Sequence, residues 1–341
     1  NLAGLAELDG LQSKLDFIFS GAAGPLGRPI SIASFVPQAA DWPDDTRPLF
    51  QLNFVVHALA ICAAAFLARG LVLLRNEADQ QNAAVIGILV AGIWGFSPFL
   101  ATTHLMLIQR MTSLAGLFVL SGLALFVWGL RMLDRDVGAA RIWIMVGMAV
   151  GTLLAVFAKE NGALLPLFAL SILLFWLPKG KRTILRGAPF TLVIFVLLPS
   201  LAMLGYLFLW LLPHVLQSGY GQRHFDVIER LMVQPVILLD YLRNLALPRP
   251  SVVVPFTDRY PIPNGWLSPP TTLISALLWP TLVGVALALR RQAPALLFGL
   301  VFFLIGHLLE SSFIGLELYF AHRNYVPSFG LYFALVFSGL T

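Results

Sequence analysis

Long apolar stretches, separated by short polar joints, recur from residue 50 to the end of the chain. Nothing else in the sequence restricts its fold as strongly. Nine such stretches stand out, at residues 50–74, 83–100, 113–133, 142–158, 162–177, 187–212, 271–289, 294–309 and 327–340. A helix needs roughly 20 apolar residues to cross the hydrocarbon core of a bilayer, so about nine spans are expected. Charged residues make up 11% of the chain and hydrophobic ones 58%, where soluble domains carry about 25% charged residues. The stretches are apolar throughout rather than alternating, so their backbone groups are satisfied within helices and not in a closed barrel. The expected fold is all-α, a polytopic transmembrane helical bundle seated in the lipid bilayer. In such a chain a net charge of +5 encodes orientation and gives no reason to expect a nucleic-acid partner. The single cysteine, Cys62, excludes an intrachain disulfide and a cysteine-based metal site.

The joints alternate in character. One set carries simple basic runs: Arg69 and Arg75; Arg131, Arg135 and Arg141; Lys179, Lys181, Arg182 and Arg186; Arg290 and Arg291. Short basic loops at every second joint are the mark of the cytoplasmic side. The other set then faces outward: residues 1–49, 102–112, 159–161, 213–270 and 310–324. By this parity Asn1 lies outside and Thr341 inside. The chain starts in polar sequence without a methionine and ends on an apolar run, so a first span is expected before Asn1.

Four regions follow: an outward N-terminal loop region (1–49), a block of spans (50–212), an outward helix and proline-rich loop (213–270) and a second block of spans (271–341). Within the first, residues 11–19 have the composition of a short interfacial amphipathic helix. Within the third, residues 225–247 place apolar side chains near a 3.6 period, interrupted by Pro235. That stretch is too polar to span and is expected to form a kinked helix on the outer surface. A connection this long is often a lid or a binding loop.

The mixed-charge motifs all fall on the outward joints. Arg28 follows a glycine-rich loop; His104, Gln109 and Arg110 stand at the mouth of a span. Lys159, Glu160 and Asn161 form a tight joint, and Asp240, Arg243 and Asn244 lie on the outer helix, where the i, i+3 spacing reads as a local ion pair. Glu317, His322, Arg323 and Asn324 form the densest group, with Glu310 further back. The chemistry these share is anion recognition: Arg supplies a planar fork and Lys a point charge. Arg110, Lys159 and Arg323 are the expected phosphate ligands. Glu160 and Glu317 are candidates for orienting hydroxyls or for acid/base work. Each Arg taken singly is more often an interfacial anchor; the joint reading rests on placement on one side. His104 and His322 share no metal-ligand spacing, so hydrogen bonding is the expected role. No cofactor is expected, and dependence on a divalent metal is left open. No nucleophile elbow, P-loop or dinucleotide fingerprint is present, and Gly147 and Gly151 read as a helix-packing motif.

Four motifs stand in the order of a known group: Gly-Pro-Leu-Gly-Arg-Pro-Ile-Ser (24–31), Ile-Gln-Arg-Met-Thr-Ser-Leu-Ala (108–115), Lys-Glu-Asn-Gly-Ala-Leu-Leu-Pro (159–166) and Glu-Leu-Tyr-Phe-Ala-His-Arg-Asn-Tyr-Val-Pro-Ser-Phe-Gly-Leu (317–331). With the stretch 230–250, they resemble the polytopic GT-C glycosyltransferases of the bacterial O-mannosyltransferase-like, TMTC-like group. The resemblance implies transfer of a sugar from a polyprenyl-phosphate donor to an acceptor protein or glycan. It also implies an inverting displacement on the periplasmic face of a bacterial inner membrane. The acidic base of such enzymes follows the first span, a position that falls before Asn1 here, so no base is assigned. The residues carried over are Arg28, Gln109, Arg110, Lys159, Glu160, His322, Arg323 and Asn324. A lipid-linked oligosaccharide ligase or polymerase would use similar outer arginines. A non-catalytic subunit of a membrane complex is the other alternative. A transporter would call for mid-span charges and an internal repeat; the spans hold few charges at their centres, and no repeat of the halves is seen.

Overall fold

A computed structural model of the chain describes residues 2–21, 23–221, 223–249 and 260–340. Among these residues there is no strand, and the regular elements are helices. Two short helices, α1 (Leu11–Ile18) and α2 (Pro29–Ala33), lie in the N-terminal region. The bundle follows with α3 (Arg47–Arg75), α4 (Gln80–Gly95), α5 (Leu107–Met132), α6 (Val137–Ala158), α7 (Glu160–Trp176) and α8 (Pro189–Ser218). After these come α9 (Val227–Ala246), α10 (Thr271–Ala288), α11 (Pro294–Gly306) and α12 (Pro327–Leu340). The centre of the expected proline-rich loop, residues 250–259, lies outside the described residues, as do Asn1 and Thr341.

Each expected apolar stretch coincides with helix. Length and composition qualify five helices as membrane-crossing: α3, α5, α6, α8 and α10. The pair α4 and Pro98–Leu105, bent by 52°, makes a sixth if counted as one span, whereas α7, α11 and α12 are shorter apolar helices. The bend has a local cause. Ser97 is extended (ψ 117°) ahead of Pro98, because the proline ring disfavours helical geometry in the preceding residue and offers no N–H to continue the ladder.

The core is built from aromatic side chains at one end and small residues at helix crossings. Trp176 is fully buried, donates Nε1–H to the Leu71 carbonyl at 2.8 Å, and packs against the rings of Phe298, Phe333 and Phe337. Gly147 and Gly151 of α6 face Gly122 of α5, so close that a Cβ on Gly147 would stand 2.6 Å from the Gly122 carbonyl oxygen. The expected outer helix is α9, capped by Asp226 and Glu229 and continuous through Pro235, whose carbonyl accepts from Trp279 of α10.

The two sets of joints segregate by contact. Arg75 donates to the Trp176 carbonyl, Arg135 pairs with Glu77 at 2.7 Å, and Arg141 donates to the Gly187 carbonyl. The mixed-charge joints meet one another instead: Ser31 donates to the Ala158 carbonyl, Arg110 to those of Ser34 and Leu49, and Arg230 to that of Glu310. Helix α3 connects the two groups. Its 29 residues make a rod of about 43 Å at ~1.5 Å per residue, longer than the ~30 Å hydrocarbon core. The basic joints and the mixed-charge joints therefore occupy opposite ends of the bundle.

Candidate functional site

The mixed-charge end is centred on a buried ion pair between residues far apart in the chain. Lys159 is the single extended residue between α6 and α7, and the turn that presents it is possible only because residue 162 is glycine. A Cβ at Gly162 would lie 2.2 Å from the Ala155 carbonyl carbon. The Lys159 ammonium stands 2.7 Å from the Glu310 carboxylate, in the irregular segment after α11, and the two side chains are 7% and 8% exposed. Removing either charge from water alone costs several kcal/mol, so burial of the two is conditional on their pairing. Lys159 also donates to Thr112 Oγ1 at 3.2 Å, and the Thr112 hydroxyl donates to Gln109 Oε1 at 2.8 Å.

A 3-10 turn, Ala321–Asn324, brings His322 and Arg323 into the same space. Arg323 is 4% exposed, donates Nη1–H to the Leu318 carbonyl at 3.0 Å and lies over the Phe320 ring. Among the described residues its Nε–H has no hydrogen-bond partner, and neither does Glu310 Oε2. His322 stacks on Phe320, with ring centroids 4.9 Å apart. Thr112, Lys159, Asn161, Glu310, His322 and Arg323 line a cavity of about 30 Å³, room for on the order of one or two waters. Burial by itself would raise the Glu310 pKa. The Lys159 charge, and after it Arg323 and His322, overcome this and hold the carboxylate well below its ordinary range. Burial, followed by the Lys159 charge, pushes the His322 imidazole well below 6.5.

A second ion pair involves Glu160, the residue that follows Lys159. Arg28 meets the Glu160 carboxylate through Nε–H at 3.0 Å and Nη2–H at 2.8 Å, both side chains being partly exposed. The loop that aims Arg28 is left-handed at Gly24 (φ +102°), Gly27 and Arg28 itself (φ +51°). At Gly24 the close approach matters as much as the dihedral, since a Cβ there would stand 2.7 Å from Glu160 Oε1.

The remaining expected site residues lie elsewhere. Arg110 is fully buried under the N-terminal region. It donates to Asn53 Oδ1, Gln38 Oε1 and the carbonyls of Ser34 and Leu49, and stacks on Phe35. It does not line the cavity, so the expected grip of Arg110, Lys159 and Arg323 reduces to the last two. His104 stacks on His57 at 4.2 Å, and Gln109 touches the cluster only through Thr112. Asn324 is spent on His307 and the Ala321 carbonyl. Arg243 is exposed on the last turn of α9, and the expected Asp240–Arg243 pair is replaced by Asp240–Arg249 at 3.6 Å. Glu317 pairs with Arg223 near the surface, away from the cavity. Among the described residues no group of His, Cys, Asp and Glu is placed to hold a metal ion.

Two residues to which the sequence reading gave no role complete the site. Glu310 supplies the counter-charge, and Arg230, fully buried in α9, fixes the segment that carries it by donating to the carbonyls of Glu310, Ser312 and Leu316. Arg230 had a legible signal. It falls on the same helical face as Val227, Gln234 and Ile237, where a charge needs a buried partner.

Comparison with protein-family models finds no matching family, and searches of curated proteins and of solved structures return no match.

Proposed function

We propose that this chain is a membrane glycosyltransferase that moves a sugar from a polyprenyl-phosphate donor to an acceptor, in the first instance a protein hydroxyl. The observation that carries the reading is Arg323. It is buried, lines the cavity beside Lys159, and has no carboxylate within ion-pair distance among the described residues. Arg28 is matched by Glu160 and Lys159 by Glu310, so the surplus positive charge at the cavity sits on Arg323. Arg110 and Arg230 are also buried without a carboxylate, but each of their guanidinium nitrogens donates to a protein oxygen, whereas among the described residues the Arg323 Nε–H has no partner, and an anion would supply one. The motifs Lys159-Glu160-Asn161 and His322-Arg323-Asn324, which carry the GT-C resemblance, meet at this point.

In the displacement this reading implies, the acceptor hydroxyl attacks the anomeric carbon, the lipid phosphate leaves with its bonding electron pair, and the hydroxyl proton passes to a general base to which no residue here is assigned. Lys159 and Arg323 would stabilise the charge that grows on the departing phosphate oxygen. Of the two carboxylates expected for orienting hydroxyls, Glu160 lies in the chain between the cavity-lining residues Lys159 and Asn161, and Glu317 pairs with Arg223 away from the cavity. An open apolar groove of about 450 Å³, lined by Leu15, Phe19, Pro29, Ile30 and Phe157 among others, adjoins Arg28 in sequence and suits a hydrocarbon tail. We assign this end of the bundle to the outer, periplasmic face, because the basic joints at the other end favour the cytoplasm. The finer expectation of nine spans in a GT-C arrangement, with α7, α11 and α12 also crossing, belongs to this proposal.

The test is sugar transfer by the full chain in vesicles supplied with a panel of polyprenyl-phosphate sugars. Arg323→Gln is expected to lower transfer at least 100-fold, about 2.7 kcal/mol of transition-state stabilisation, with insertion and folding retained. Transfer at the parental rate by a folded Arg323→Gln variant sinks the reading.

A further inference from the structure

The cavity is about 30 Å³, far below the ~300–1,000 Å³ of ordinary small-molecule sites. Its principal cation, Lys159, is already engaged. We infer that the Glu310 carboxylate holds the place of the ligand's anionic group, so that a phosphate ester enters by exchange and replaces Glu310 on the Lys159 ammonium. This rests on reading the Lys159–Arg323 cavity as a phosphate site.

Three observations carry the exchange. First, the pair is only half satisfied. One Glu310 oxygen meets Lys159 at 2.7 Å, while Oε2 is buried without a partner, and Arg323 Nε–H, lining the same cavity, is also without one. A donor and an acceptor on one small cavity that do not satisfy each other each carry an unmet hydrogen bond. A phosphate, with several acceptor oxygens, can bridge Lys159 and Arg323 together. Second, the main chain at Glu310 is held independently of its side chain. The Glu310 carbonyl accepts from Arg230 Nη2–H at 2.9 Å, Arg230 also holds the carbonyls of Ser312 and Leu316, and Tyr220 and Arg223 hold those of Phe313 and Gly315. A rotation of the Glu310 side chain therefore vacates Lys159 without moving the segment. Third, the charges close. Lys159, Arg323 and Glu310 sum to one positive charge, and a singly charged phosphodiester brings the cavity to neutrality with Glu310 retained as an anion.

The experiment is equilibrium binding of a polyprenyl methyl phosphate, a singly charged phosphodiester, to the full chain in nanodiscs of zwitterionic lipid. The variants are Glu310→Gln, Glu310→Asp and Arg323→Gln, with unfolding transitions recorded for each. Exchange predicts binding at least tenfold tighter for Glu310→Gln, because the competitor for Lys159 is gone. It also predicts several-fold tighter binding for Glu310→Asp, which keeps the charge but draws it back by one methylene. The Asp variant separates exchange from a general gain in positive potential, and it carries the test alone if Glu310→Gln does not fold. Binding by the parent that is lost in Arg323→Gln but unchanged or weaker in Glu310→Asp overturns the exchange and leaves the phosphate site standing. Absence of binding by the parent and every folded variant overturns both.

Discussion

Lys159 and Glu310 show how a charge can be tolerated at the edge of hydrocarbon. Each is almost wholly buried, and each is held by the other rather than by solvent. Taking away one partner strands the other, at a cost of about 3–5 kcal/mol, whereas removing both is often close to neutral. Lys159→Met is therefore expected to destabilise the protein by about that amount, and Lys159→Met/Glu310→Gln to recover most of the loss. Denaturant unfolding in detergent reads both, and a double variant no more stable than the single one contradicts the pairing. The same logic explains why neither residue announces its partner in sequence. Lys159 sits in a joint where a Lys-Glu dipeptide reads as a neutralised helix cap, and Glu310 follows directly on an apolar run. Glu160, the neighbour that looks like the partner of Lys159, is instead bound to Arg28.

At the scale of elements, Arg110 acts as the tie between the N-terminal region and the bundle. It opens the helical ladder of α5 after a 3-10 turn and spends its guanidinium on α3 and on the residues that precede it. Its position at the mouth of a span, beside Gln109, reads equally well as a ligand for an anion. Its burial beneath residues 34–49 is a consequence of packing between segments that sequence spacing does not encode. Each buried acceptor it leaves unpaired costs about 1–3 kcal/mol. In Arg110→Met, limited proteolysis is expected to cut within residues 2–46 at least tenfold faster, with the bundle from α3 onward resistant. Equal cleavage of parent and variant removes the tie. The Asp240–Arg249 pair makes a similar point, because the chain turns back after α9 and brings a more distant arginine to the carboxylate than the helical neighbour Arg243.

The whole molecule is a helical bundle with two chemically different ends, and that polarity can be tested directly. In a Cys62→Ser background, Gln12→Cys lies at the mixed-charge end and Gln292→Cys, in the joint between α10 and α11, at the basic end. A membrane-impermeant thiol reagent is expected to label Gln12→Cys in intact cells and Gln292→Cys only after permeabilisation. Labelling of both from the same side breaks the two-ended arrangement. The alternation of apolar runs and joints, and the division of the joints into basic and mixed-charge sets, are legible in the sequence because lipid imposes them locally. Each run must be apolar and helical by itself, and each short loop carries its own charge bias. Which charged groups would meet is not imposed locally. Lys159 reaches Glu310, Arg28 reaches Glu160, and Arg110 turns away from all of them, through packing of helices that the sequence leaves distant. The sequence by itself determined the helices, their apolar faces and the concentration of mixed charge at one end. Only the tertiary structure decided which of those charges cancel, which are spent on neutral oxygens, as Arg110 and Arg230 are, and that Arg323 keeps an open donor at the cavity, because pairing in a buried site depends on ångström-scale proximity across the bundle rather than on position along the chain.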